Sequence, residues 1–152
     1  MNFYQITQLF AKALEDEDFE AAAQLLRRKD ASYAVKILGS VDNSLEPSVH
    51  LFLEYWCRVE NTPLQHIVTA TYLLIYYNYK LGAYTLAYWH LMWAIDLDPT
   101  DIGTLTWLFK MYHWPDGYVS NKTLAPYAWK LLKTNPTDED VLEAIHHVID
   151  NQ

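Results

Sequence analysis

The stretch Val68–Asp101, VTATYLLIYYNYKLGAYTLAYWHLMWAIDLDPTD, decides the fold of this chain. Just upstream, Thr62-Pro63 reads as a helix start: a threonine oxygen can accept from free N–H groups, and proline's fixed φ suits the first helical position. From Leu64 to Leu81 apolar residues fall on almost every face and the only charge is Lys80, so one helix buried on most sides is expected there. Gly82 interrupts it. A second helix is predicted from Ala83 to Leu97, ending at Asp98-Pro99, because proline cannot continue a helix and disfavours helical geometry in the residue before it. Ala87 and Ala94, seven residues apart, share one face of that helix, and small residues let a neighbouring helix approach closely. Two helices joined by a short turn and packed in antiparallel follow from these residues.

Counted as a unit of about 34 residues from Val68, the stretch places Leu74 in the first helix and Gly82 and Tyr84 at the turn. Ala87, Leu91 and Ala94 follow in the second helix, and Pro99 closes it. In these positions it resembles a tetratricopeptide repeat. Thr71, Ile75 and Asn78 depart from the pattern, standing where the family favours tryptophan, a small residue and an aromatic. The resemblance implies an all-α fold, a right-handed α-α superhelix of stacked antiparallel helix pairs.

Outward from this unit (68–101) the copies weaken. Asp101 to Pro136 gives a helix over Ile102–Tyr112, a turn-rich loop (Trp114-Pro115-Asp116-Gly117) and a second helix, forming a unit over 102–137. Near the N-terminus, Phe3–Leu14 and Asp18–Arg28 form a pair over 3–30, in which Leu9, Phe19, Ala22 and Leu26 take the packing roles. The segment 31–67 is irregular: a short apolar run (Tyr33–Leu38), a turn (Gly39–Ser44) and a helix around Pro47–Val59. Thr137, with Asp140 three residues on, marks the start of a last helix over 138–150. Its apolar Val141, Leu142, Ile145, Val148 and Ile149 and its polar opposite face suit a helix that caps an open-ended stack.

Composition agrees. The 152 residues are 51% hydrophobic and 20% charged, which suits one ordinary globular domain rather than disorder. Met1–Phe10 lacks a basic start followed by an apolar run, so no secretory signal is expected. No purely apolar run of about 18 residues occurs, so no membrane span is expected. Cys57 is the single cysteine and excludes an internal disulfide; with the other signals it leads to an expectation of a reducing, cytoplasmic setting. The net charge of −8 is spread evenly, six cations against ten carboxylates in residues 1–76 and five against nine in 77–152. Arg27-Arg28-Lys29 is the sole basic cluster and suits a helix C-terminus, so no nucleic acid partner is expected.

Aromatic residues make 15% of the chain, and Tyr72, Tyr76 and Tyr79 fall at i, i+4 and i+7 of the first helix of the central unit. In the repeat family the concave wall is lined by first-helix residues. By that resemblance Thr69, Tyr72, Tyr76, Tyr79 and Lys80 line a groove, joined by Thr106, Lys110 and His113 from the next unit. The same spacing also suits core packing with hydroxyls at the rim. The family's lysine–asparagine clamp for a C-terminal carboxylate is not reproduced, since Tyr72 and Tyr76 occupy the relevant wall. Trp89 and Trp93, at i, i+4, are expected to pack against the following unit; left open, they would form an apolar patch favouring a homodimer.

No catalytic residues, metal ligands or cofactor are expected. The six histidines are scattered, no HExxH, GxSxG, Walker loop or CxxC occurs, and His146/Asp150 and Glu143/His147 read as a solvated face of the last helix. Cys57, in an apolar helix, reads as an inert buried thiol. The expected function is non-catalytic binding of a protein or peptide, with a basic partner favoured by the acidity, in the role of a small chaperone, adaptor or immunity-type guardian. A self-associating structural protein is the alternative, and an enzyme with an unrecognised site a remote one.

Overall fold

The computed structural model describes residues 1–112 and 119–152; the expected loop Trp114–Gly117 and the candidate His113 lie outside the described residues. Among the described residues every regular element is helical: α1 (Phe3–Glu15), α2 (Phe19–Leu26), α3 (Ala31–Leu38), α4 (Glu46–Glu60), α5 (Pro63–Tyr76), α6 (Ala83–Leu97), α7 (Ile102–Lys110), α8 (Asn121–Leu132) and α9 (Glu139–Asp150). A single 3₁₀ turn, Asn43–Leu45, precedes α4. No described helix is long and apolar enough to cross a membrane.

The helix starts are chemically marked. Asn2, Asp18, Asp30, Asp101, Ser120 and Asp138 each accept a hydrogen bond from a backbone N–H of the first turn they precede, satisfying donors that have no partner within the helix. At α9 the cap is therefore Asp138, accepting from Val141 N at 3.2 Å, rather than the expected Thr137. Before α5 the side chain of Gln65 reaches back to accept from Thr62 N at 3.1 Å, with Pro63 at the first helical position.

α5 and α6 form the closest pair, and their seam is built from Ala70, Leu73, Leu74, Ala87 and Leu91. Ala87 and Ala94 are both fully buried, as close approach of the helices requires. α6 keeps the boundaries its glycine and proline set. α5 stops at Tyr76, five residues short of the expected Leu81, and 77–81 form a turn that leads to Gly82, whose φ of +86° is open to glycine at no steric cost.

The core lies in three blocks along the chain. One gathers α1 to α4 and one face of α5 around Phe10, Phe52, Leu53 and Trp56; the middle one is the α5/α6 seam; the third gathers the end of α6 with α7, α8 and α9 around Ile95, Phe109, Leu131 and Ile145. In α1 the buried positions are Ile6, Phe10, Ala13 and Leu14, so Phe10 takes the role expected of Leu9, which faces solvent. Ile6, Phe10, Ala13 and Leu14 stand at i, i+4, i+7 and i+8 and so share one face, which excludes Leu9. Arg27 is more than a helix-end cation: it binds Glu20 at 2.8 Å and Glu60 at 2.5 Å, linking α2 to the end of α4.

Trp89 and Trp93 are not covered by the following unit. They are 51% and 45% exposed, because α6 turns Ile95, Tyr88 and Met92 toward the third core block and leaves the tryptophan side open. Leu86 and Leu97 extend the open side into a stripe along α6.

Candidate binding cleft

The turn after α3 and the end of α5 enclose a cleft of about 190 Å³ lined by Gly39, Val41, Asp42, Asn43, Glu46, Tyr72, Tyr76 and Tyr79. α3 ends at Gly39, and the 3₁₀ turn then carries the chain back into α4. Asp42 starts that turn by accepting from Ser44 N at 2.8 Å, and hydrogen bonding to Ser44 holds its carboxyl below the usual range. Glu46, at the start of α4, accepts the hydroxyl proton of Tyr79 at 3.0 Å. That bond, with partial desolvation, raises the Tyr79 phenol above its ordinary value.

The three tyrosines play unequal parts. Tyr72 is the floor: it is 5% exposed, belongs to the first core block, and burial pushes its phenol up to about 12. Its ring lies 5.7 Å from that of Tyr76 and 5.7 Å from the imidazole of His50. Tyr76 is a half-exposed wall, and Tyr79 is a rim residue at 65% exposure. Because α5 has already ended, Tyr79 reaches the cleft from the turn and not from the helical face its spacing suggested.

Tyr76 and Gly39 fit together by absence of a side chain. A Cβ on Gly39 would stand 2.2 Å from Tyr76 Cζ, and the φ of −76° there is open to any residue, so the glycine is required by space alone. Gly39→Ala should therefore swing the Tyr76 ring into solvent. Because the clashing atoms are the tip of a half-exposed ring, the stability loss should sit at or below the low end of about 1–3 kcal/mol typical of overpacking. The ring resonances of Tyr76 in an NMR spectrum should shift while those of core aromatics stay fixed.

Of the other residues expected in the groove, Lys80 stands beside it, its Nζ 5.3 Å from the centre of the Tyr79 ring and 5.8 Å from that of Tyr77. Thr69 is buried and turned inward, donating to the Gln65 carbonyl at 2.8 Å. Thr106 donates to the Ile102 carbonyl at 2.8 Å, and Lys110 pairs with Asp138 at 3.1 Å. Neither Thr106 nor Lys110 lines the cleft. The sequence reading missed Gly39, Val41, Asp42, Asn43 and Glu46, all from the segment with no repeat pattern. The nearest signal was the Gly39–Ser44 turn, whose Asp42 is an acid beside a chain reversal.

No protein-family model matches the chain, and no curated protein or solved structure matches it either.

Proposed function

We propose that this protein is a non-catalytic, tetratricopeptide-type interaction module that holds a basic segment of another polypeptide in the tyrosine cleft. The observation that carries this reading is the convergence of two carboxylates, Asp42 and Glu46, with three tyrosine rings around one recess, no cation being among its described lining residues. Aromatic faces and carboxylates together suit a lysine or arginine side chain, through cation–π and charge-assisted contacts. The net charge of −8 would speed the encounter of such a partner, with an on-rate that falls with salt. The packing order supports the superhelical reading. First helices meet first helices in α1/α3, α3/α5 and α7/α9, and second helices meet the next first helix in α4/α5, α6/α7 and α8/α9, whereas α2/α3, α3/α4 and α5/α7 are not close pairs among the described residues, so the support covers part of the stack. A small acidic module of this kind serves as a guardian, as a chaperone or an immunity-type protein does, or as an adaptor.

The test is a titration of the wild type with a panel of short peptides bearing lysine or arginine flanked by apolar residues, followed by fluorescence anisotropy at two salt concentrations. Binding should weaken about fivefold in Tyr79→Ala, the equivalent of about 1 kcal/mol of cation–π contact, and lose much of its salt dependence in Asp42→Asn/Glu46→Gln. Equal affinity of these folded variants for every bound peptide would overturn the cleft assignment.

A second reading, self-association through α6, rests on the open stripe Leu86, Trp89, Trp93 and Leu97. Adjacent exposed aromatics and leucines on one helix face are characteristic of contact surfaces. Sedimentation equilibrium decides it: a mass that rises with concentration in the wild type and stays monomeric in Trp89→Gln supports it, and a monomer at high concentration removes it.

A further inference from the structure

Cys57, His66 and His90 belong to three consecutive helices, α4, α5 and α6, and all three are buried. One ligand-capable atom from each lies within 4.8 Å of the other two. His66 Nδ1 and His90 Nδ1 are 3.0 Å apart, His66 Nε2 is 3.0 Å from Asn61 Oδ1, and Cys57 Sγ is 3.3 Å from Thr69 Oγ1.

The protons in this cluster can be placed one by one. An amide oxygen only accepts, so with Asn61 turned this way His66 carries its proton on Nε2 and presents a lone pair at Nδ1. The close contact then requires a proton on His90 Nδ1. His90 Nε2 is left as a bare acceptor, without a partner, in a residue only 2% exposed. Thr69 already gives its proton to the Gln65 carbonyl, so the Cys57 thiol must donate to the threonine oxygen. The cluster thus holds an unsatisfied nitrogen beside three buried ligand-capable atoms.

We propose that Cys57, His66 and His90 form a binding site for one thiophilic metal ion, zinc(II) or copper(I), which ties α4, α5 and α6 together. One thiolate and two neutral imidazoles are a donor set both ions accept. Zinc–nitrogen bonds of about 2.0–2.1 Å in tetrahedral geometry place two ligand nitrogens about 3.3 Å apart, so the facing rings need separate by only a few tenths of an ångström. With a metal ion between them both Nδ1 atoms offer lone pairs, and the His90 proton moves to Nε2. The Trp93 ring stands perpendicular to His90 at 5.2 Å, an arrangement open to a weak N–H to π contact. One proton leaves as the thiol becomes a thiolate, and the Thr69 hydroxyl, 3.3 Å from the sulfur, would turn from the Gln65 carbonyl to donate to it. Asn61 acts as an orienting partner, fixing the tautomer of His66 as outer carbonyls do around metal-bound histidines.

Burial lowers the His66 imidazole and brings His90 to about 4, favouring the neutral rings a metal ion binds, while it pushes the free thiol up to about 11, so the ion itself must displace the thiol proton. The ring of Trp93, half-exposed, lies 5.7 Å from that of His66, so the cluster sits one side chain beneath the surface and an ion has a short way in.

Protein freed of metal with a chelator would be titrated anaerobically with cobalt(II), a coloured stand-in for zinc, and in parallel with copper(I) against a coloured copper(I) chelator. The expected result is one equivalent bound, either as cobalt that zinc displaces or as copper(I). Cys57 is the chain's single cysteine, so a thiolate-to-cobalt charge-transfer band in the wild type can come from no other residue and needs no variant to assign it. Asn61→Gly keeps the left-handed backbone at φ 39° and should weaken binding about 10–100-fold. Cys57→Ala should abolish both the band and copper(I) retention. The proposal is overturned if neither ion binds at one equivalent, if bound cobalt gives no thiolate band and copper(I) is not retained, or if Cys57→Ala, still helical by circular dichroism, binds as well as the wild type.

Discussion

Replacing Phe52 by alanine should remove about 3–5 kcal/mol of stability, the usual cost of emptying a phenylalanine-sized site in a packed core. Phe52 is fully buried at the centre of the first core block, stacked on Trp56 at 5.5 Å and edge-on to Phe10 at 5.1 Å, with Phe19 at 6.3 Å. A domain of this size has about 5–15 kcal/mol in all, so the loss is a large fraction. The three-block core gives the loss a location. α7, α8 and α9 pack in a block that shares none of these aromatics, so their amide protons should keep their protection while those of α1 to α4 exchange faster. Hydrogen exchange read by mass spectrometry checks this, and equal loss of protection from end to end would mean that the blocks fold as one unit.

Tyr72→Ala should cost a comparable amount, about 3–5 kcal/mol by analogy with phenylalanine and tryptophan sites, whereas Tyr79→Ala should stay within about 0.5 kcal/mol of wild type. The two rings serve the same cleft, but Tyr72 is packed into the core beside His50 and Tyr76, while Tyr79 stands in solvent with one hydrogen bond to Glu46. Urea denaturation followed by circular dichroism measures both. The contrast has a practical use: peptide binding lost in Tyr72→Ala says nothing about the cleft, since disturbed core packing alone accounts for it, while binding lost in Tyr79→Ala does. Similar destabilisation by both substitutions would make the cleft a piece of core with a dent in it.

The helices were legible where a residue of special backbone chemistry stood at the boundary. Gly82 and Asp98-Pro99 bracket α6, and Thr62-Pro63 begins α5. The end of α5 was not legible, because Tyr77 and Tyr79 continue the aromatic pattern and no glycine or proline comes before Gly82. The outer side of α6 was misread for a related reason: Trp89 and Trp93 look like core by composition, and which side of an all-apolar helix meets its neighbour is decided by the neighbour.

The cleft was half legible. Spacing singled out Tyr72, Tyr76 and Tyr79, and the structure brings the three to one recess, but the acids facing them come from a segment without periodicity. Cys57, His66 and His90 were invisible as a group because they lie on three helices. One clue existed for two of them: residues equidistant from the turn of an antiparallel pair come together, and His66 and His90 lie twelve residues on either side of Asn78.

Lys80 has a consequence for recognition. Its ammonium group already sits over the Tyr77 and Tyr79 rings, supplied from within the chain at the high effective concentration, on the order of millimolar, that a short tether confers. Under the proposed function an incoming lysine or arginine would meet an aromatic wall with a resident competitor. A single free cation would then gain little, and a ligand that adds contacts to Asp42, Glu46 and the cleft floor would be favoured. Under the proposed function the tethered lysine would act as a selectivity filter, raising the affinity a basic partner must reach.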